Sequence, residues 1–269
     1  MSDLTYAYCL VRSGRPPKLP PASAAVPGAK GVRLIDAGQG LRLVVSTVPA
    51  SDYNEAALAR GIANLDWVGR RALAHEAVVE HFLSAPAVLP MQMFSLFTSD
   101  ERALAHAVRD RRRIDRILDR LQRKHEWGLR LTFDEQAARE AIEQAHAGPS
   151  ARMGRKRAAT SGSAYLARKR DLLEVSRQQL VEARAAGDRV FTAMSAAASA
   201  SLRRRSTEQA PGARLLLDAA FLVPSTRANG FRAALRRISG ALPAGVVVSL
   251  TGPWPPYNFI DAPTRSRST

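Results

Sequence analysis

The first fifty residues contain three short apolar-rich segments that are typical of β-strands. Residues 4–11 are rich in β-branched and aromatic side chains and predict an opening strand. Two more strands are predicted at 32–36 and 41–48, joined by the hairpin signal Ala37-Gly-Gln-Gly40. The prolines of residues 12–30 predict an irregular connection between the first strand and this hairpin.

A helix is predicted over residues 54–83, because apolar residues recur there every three or four positions. Asp52 and Glu55 can cap its start. The apolar stripe consists of Leu58, Ile62, Leu65, Val68, Ala72, His75, Val79 and Phe82. Because His75 lies on this stripe, we expect a partly buried histidine satisfied by a hydrogen bond. A ligand role or a pH-sensitive contact is the alternative.

Three further segments complete the first half of the chain. Residues 88–94 predict a short strand, and Pro90 indicates an edge or a strand end. A capping box opens a second helix over residues 98–124. Residues 126–133 alternate again and predict a strand.

The second half begins with a change in composition, since residues 134–163 are polar, rich in alanine and basic. A long helix is predicted over residues 164–205. After it, the pattern predicts a buried strand at 215–223, an amphipathic helix at 231–242 and a last strand at 246–250.

This order of elements favours an α+β fold with two sheets, because the hairpin argues against a doubly wound parallel sheet. We expect an amino-terminal domain over residues 1–124 and a carboxy-terminal domain over residues 125–269. The second approaches a split β-α-β arrangement of the ferredoxin-like type, with one strand missing or hidden. It ends in an extended tail at 251–269.

The charge of the chain is unusual for its size. A formal net charge of +16 and a pI near 11.2 imply an acidic partner or binding to polyanions. Between residues 152 and 205 there are thirteen basic residues, among them Arg168, Lys169 and Arg170, and four acidic ones. We favour a basic helix facing an acidic protein, since charge alone carries no sequence specificity. Nucleic-acid binding through phosphates is the alternative hypothesis.

No motif for catalysis or for a bound metal or cofactor is present in the sequence. His75 and His81 are six residues apart and lie on different helix faces, and Cys9 is the single cysteine. One cysteine excludes an internal disulfide, which fits a reducing compartment. We find neither a signal peptide nor a membrane-length apolar run, and therefore expect a soluble, cytoplasmic protein that is not an enzyme.

The most distinctive string is Gly252-Pro-Trp-Pro-Pro-Tyr-Asn-Phe259 near the carboxy terminus. Its prolines disfavour a helix or a central strand and favour a stiff, extended ribbon. We expect the aromatic residues of this ribbon to pack on the carboxy-terminal domain. Docking of the ribbon on a partner is the alternative.

This tail resembles the terminal signature of gas vesicle proteins of the GvpL/GvpF family, and further segments match in the same order. They are Tyr6-Ala-Tyr-Cys-Leu-Val11, Leu65-Asp-Trp67 with His75 and Val78, Val88-Leu-Pro-Met91 with Phe94, Glu126-Trp-Gly-Leu-Arg-Leu131 and Ser163-Ala-Tyr-Leu-Ala-Arg-Lys-Arg170. The resemblance implies an α+β amino-terminal domain, a modified ferredoxin-like carboxy-terminal domain and an extended tail.

The resemblance also implies a non-catalytic role in gas vesicle assembly, or as a minor structural protein at the shell or its inner surface. The expected partners are the small hydrophobic shell protein and other gas vesicle accessory proteins, with no cofactor, metal, membrane or nucleic acid. The candidate partner-binding residues are Trp254, Tyr257, Phe259, Arg168, Lys169 and Arg170.

Overall fold

The computed structural model of the protein describes residues 3–146, 162–205 and 213–261, with side chains left out at 142–146 and 162–176. The chain divides into two compact units. The first unit comprises residues 1–126 and 253–269, and the second unit comprises residues 127–252. The described strands form two four-stranded sheets, so the predicted α+β class with two sheets is confirmed.

The sheet of the first unit has the order β2-β3-β1-β4, and each neighbouring pair is antiparallel. Its strands are β1 (Asp3–Arg12), β2 (Val32–Asp36), β3 (Leu41–Pro49) and β4 (Ala87–Phe97). The strands predicted from the alternating pattern are thereby confirmed. Pro90 lies in β4, which is an edge strand, as the missing N–H of proline requires.

The central strand β1 supplies much of the core of the first unit. Its residues from Tyr6 to Val11 are all buried, because neighbouring strands pair on both sides and helices cover the sheet. Tyr8, Tyr53 and Phe82 are among the largest side chains that are fully buried.

The prediction of one continuous helix over residues 54–83 is wrong. The structure has two helices there, α2 (Glu55–Ile62) and α3 (Leu65–His81), and a short helix α1 (Ala50–Tyr53) precedes them. The side chain of Asn54 caps α2, and that of Asn64 caps α3 by accepting a hydrogen bond from the Trp67 amide at 3.0 Å. The side chain of asparagine readily accepts hydrogen bonds from nearby backbone N–H groups, and each of these asparagines therefore starts a new helix.

The second predicted helix, over residues 98–124, is also divided. The structure has α4 (Asp100–Val108), capped by Ser99, and α5 (Arg111–Leu121), capped by Asp110. The apolar period continues across the break, and this is why the pattern alone suggested a single helix.

The second unit contains the other sheet, in the order β6-β7-β5-β8. Its strands are β5 (Lys124–Asp134), β6 (Ala200–Arg203), β7 (Ala213–Pro224) and β8 (Val246–Trp254), and its helices are α6 (Glu135–His146), α7 (Gly162–Ala197) and α8 (Ala228–Ser239). The first residues of β5, 124–126, and the last of β8, 253–254, are counted with the first unit. The edge strand β8 runs further than predicted and includes Pro253 near its end, where a missing N–H costs little.

Two further elements of the second unit differ from the prediction. Helix α6 lies in the polar, alanine-rich stretch for which no helix was predicted, and Asp134 caps its start by accepting hydrogen bonds from the amides of Gln136 and Ala137. The predicted helix 164–205 ends at Ala197, since residues 200–203 form β6 and pair antiparallel with β7.

The core of the second unit forms between its sheet and the helices α7 and α8. Helix α7 contributes residues at helical spacing, with Val190 and Met194 fully buried. The sheet contributes Trp127 and Phe221, whose ring centroids lie 6.2 and 5.5 Å from that of Phe231 in α8. The boundary predicted between residues 124 and 125 stays a prediction.

Candidate partner-binding site

The aromatic tail lies in the first unit, whereas the sequence led us to expect packing on the carboxy-terminal domain. Pro255, Pro256 and Phe259 are buried, and Phe259 is only 2% exposed. The extended path ends in a single 3-10 turn at Tyr257–Phe259. The expectation fails because nothing in the composition of the tail specifies the surface that it covers.

Two acidic side chains of the first unit hold this turn. The Tyr257 hydroxyl donates to Glu76 Oε2 at 2.8 Å. The backbone N–H and the side-chain amide of Asn258 donate to the two oxygens of Glu126, at 2.9 and 2.5 Å. Glu126 is buried, so these hydrogen bonds lie in a poorly solvated place.

Arginine side chains of α5 complete the attachment. Arg120 Nη2 donates to the carbonyl oxygens of Phe259 and Ile260 at 2.5 and 2.9 Å. Further out, Arg113 forms an exposed ion pair with Asp261 at 2.7 Å. The contacts therefore run from buried bonds at the turn to an exposed pair at the last described residue.

Burial controls the protonation of the two groups that meet at the turn. Burial raises the pKa of Glu76, and the nearby Glu80 and Glu126 raise it further, while the hydrogen bond from Tyr257 acts in the opposite direction. Burial and the negative charge of Glu76 raise the pKa of Tyr257, which therefore stays a hydrogen-bond donor.

The candidate residues of the tail thus differ in accessibility. Phe259 is buried, Tyr257 is partly buried, and Trp254 at the end of β8 is 39% exposed. Arg168, Lys169 and Arg170 are part of α7, but their side chains are outside the described part of the structure.

His75 belongs to the core of the first unit. Its Nδ1 shares a hydrogen bond of 2.9 Å with the Tyr6 hydroxyl, which confirms the expectation of a buried histidine with a hydrogen bond, while its Nε2 is buried without a hydrogen bond of normal geometry. Burial lowers the pKa of His75 to about 4, and a contact with the Met91 carbonyl opposes this shift. The imidazole is therefore neutral at physiological pH.

The break between α2 and α3 leaves apolar side chains in solvent. Ile62, Leu65 and Leu73 are 60%, 86% and 74% exposed. Leu65 and Leu73 are eight residues apart on α3 and therefore lie on one face of it. The predicted stripe is thus buried only in its second half, at residues such as Val79 and Phe82.

The same break forms an open cleft of about 440 Å³ that sequence reasoning missed. Its lining is Ser51, Asp52, Ala57, Arg60, Gly61, Asn64, Trp67 and Arg71. The guanidinium of Arg71 lies 3.6 Å from the centre of the Trp67 ring. The spacing of Trp67 and Arg71, four residues apart on a helix, is a sequence signal that could have indicated this stacking.

The described residues show neither a metal-binding cluster nor a membrane-spanning helix. No group of three His, Cys, Asp or Glu side chains is placed to hold a metal ion. No helix in the same part of the chain has the length and apolarity needed to cross a membrane.

Proteins of known structure share this fold. The crystal structure of gas vesicle protein GvpF from Anabaena sp. PCC7120 superposes with a TM-score of 0.65 at 14% identity, over 97% of this chain and 98% of that one. GvpF from Microcystis aeruginosa gives a TM-score of 0.62 at 13% identity, over 96% and 99% of the two chains. At these identities the likeness shows the fold, an α+β architecture found among gas vesicle proteins.

Sequence comparison identifies the family. The family model described as gas vesicle synthesis protein GvpL/GvpF matches residues 4–261. Gas vesicle protein L of Streptomyces sp. (strain CB03234) is 31% identical over 95% of this chain and 92% of its own length. Gas vesicle protein F of the same strain is 27% identical over 96% and 99%. The chain belongs to the GvpL/GvpF family and has a gas vesicle-related role.

Proposed function

We propose that this protein acts in gas vesicle assembly, or as a minor structural protein of the vesicle, by binding other gas vesicle proteins without catalysing a reaction. Its main partner would be the small hydrophobic shell protein, and its place the shell or its inner surface, within the cytoplasm. The observation that carries this proposal is the family match over residues 4–261, under a description that names gas vesicle synthesis.

The surface of the first unit supports binding to an apolar partner. Leu65 and Leu73 expose most of their side chains on one face of α3, and Ile62 lies just before that helix. Complete burial of one such side chain contributes roughly 1.5–3 kcal/mol. A partner that covers this face would therefore gain several kcal/mol of binding free energy.

The candidate residues identified from the sequence have different roles in this proposal. Trp254 is the tail aromatic that is open to a partner, whereas Tyr257 and Phe259 would act by holding the tail in place. Arg168, Lys169 and Arg170 would attract an acidic partner surface through charge. We also propose a modified ferredoxin-like fold for residues 125–269, which the order β6-β7-β5-β8 supports.

A capture experiment tests the proposal. The tagged protein is co-expressed with the small shell protein, and the soluble fraction is purified through the tag. We expect the shell protein to co-purify, and we expect Leu65→Glu combined with Leu73→Glu to abolish co-purification. Failure to recover any gas vesicle protein, together with a mobility shift of generic DNA that weakens steeply with salt, would instead support nucleic-acid binding.

A further inference from the structure

The cleft between α2 and α3 contains a buried cation without an anionic partner. Arg71 is 7% exposed, and arginine keeps its charge at any physiological pH. Among the residues that the structure describes, no carboxylate lies within ion-pair distance of it. Its Nε has no hydrogen-bond partner, and Nη1 makes one long contact of 3.5 Å to the Trp67 carbonyl. An unpaired charge in such a place is costly, unless a ligand supplies the counter-charge.

Aromatic rings fix the guanidinium in the wall of the cleft. It lies 3.6 Å from the centre of the Trp67 ring and 5.1 Å from that of Tyr53, whose hydroxyl it also contacts. Gly61 makes this packing possible, because a Cβ at that position would come within 2.7 Å of the Trp67 ring. The planar group is therefore held in one orientation before any ligand arrives, which reduces the entropy cost of binding.

The charges around the cleft favour a singly charged anion. Arg60 adds a second guanidinium to the lining, and Asp52 adds one carboxylate, which is bound by the Ser51 hydroxyl at 3.0 Å. The lining therefore carries two positive charges and one negative charge, and one further negative charge would neutralise it. A doubly charged phosphate would meet a stronger repulsion from Asp52 than a singly charged carboxylate would, and the planar fork of arginine can bind a carboxylate through two hydrogen bonds.

We infer that this cleft binds an acidic side chain of a partner protein, presented by an amphipathic helical segment. The apolar part of such a segment would cover Ile62 and Leu65, which lie in the chain beside the lining residues Gly61 and Asn64. The basic character of the whole chain, at +16, favours an acidic segment. This inference rests on the proposed function only in that the partner would be a gas vesicle protein.

Two synthetic amphipathic helical peptides test the inference. They are identical except for one central residue, which is Glu in the first and Gln in the second. Binding to the full-length protein is measured by calorimetry and by the change in its intrinsic tryptophan fluorescence, to which Trp67 contributes together with Trp127 and Trp254. We expect the Glu peptide to bind about tenfold more tightly, a difference of about 1.4 kcal/mol. Arg71→Met should remove this preference, whereas Arg70→Gln, an exposed neighbour outside the cleft, should retain it.

Several outcomes would overturn the inference. These are equal affinity for the two peptides, no measurable binding of either, or a Glu preference that persists in Arg71→Met. Inorganic phosphate that binds more tightly than the Glu peptide would assign the cleft to a free anion instead. If Arg71→Met does not fold, Arg60→Gln decides, with an expected loss of several-fold in affinity. Normal capture of the shell protein with failure of both peptides would refute this site and leave the proposed function standing.

Discussion

Replacing Phe259 by Ala should destabilise the first unit, although this residue lies near the carboxy terminus of the chain. The ring is 2% exposed, and truncation of a buried Phe to Ala typically costs 3–5 kcal/mol. A segment close to a chain end can relax more than a rigid core, so we expect about 3 kcal/mol. That is a large fraction of the ~5–15 kcal/mol by which a domain is usually stable.

The assay is urea unfolding of the full-length protein, combined with hydrogen exchange followed by mass spectrometry. Amide protection should fall in α3 and β4, which belong to the unit that holds the tail, and should be unchanged in β7 of the second unit. Asp261→Ala is the matched control. Its ion pair with Arg113 is exposed, so its loss should change stability by less than about 1 kcal/mol.

Two results would refute this reasoning. Unchanged unfolding of Phe259→Ala would mean that the tail is not part of the folded core. Loss of protection in β7 with none in α3 would mean that the tail covers the second unit, as the sequence alone suggests.

Three further predictions concern stability. The pKa of His75 is about 4 in the folded protein and 6.5 ordinarily, so between these pH values the unfolded chain binds more protons than the folded one. Acidification from pH 6.5 to 4 should therefore lower the free energy of unfolding by roughly 3 kcal/mol. The raised pKa of Glu76 has the opposite effect on the pH dependence of stability. The measurement is therefore urea unfolding of the wild type and of His75→Gln at both pH values, and the difference between the two proteins isolates the effect of His75. Gly61→Ala should lower stability by about 1–3 kcal/mol through overpacking, whereas Gly69→Ala, with open space at its Cβ, should raise it slightly, as thermal melts can show. Gly245→Ala should destabilise more strongly than Gly61→Ala, because its φ is +81° and its Cβ would come within 2.6 Å of a carbonyl oxygen.

The strands of the first unit were predictable because their signals are local. Alternation of apolar residues and the glycine turn at 37–40 determine β2 and β3 without reference to the rest of the chain. The helix breaks at Asn64 and Asp110 also have local causes, but the apolar period continues across each break and hides it.

Other features depend on distant contacts and could not be predicted in the same way. Strand β6 is four residues long and forms by pairing with β7, so its own sequence carries little signal. Glu76 resembles an ordinary solvated helix residue, yet it accepts a hydrogen bond from Tyr257, which is 181 positions away. The aromatic residues of the tail were recognisable from composition, whereas the surface that they cover was not.

The central claim is that this protein takes part in forming gas vesicles through contacts with other gas vesicle proteins. The most direct measurement uses a reconstituted gas vesicle gene cluster with and without the gene for this chain, scored by flotation of the cells and electron microscopy. We expect vesicles to be lost without it, restored by the wild-type protein, and not restored by Leu65→Glu combined with Leu73→Glu. Normal vesicles in the absence of the protein would contradict the account.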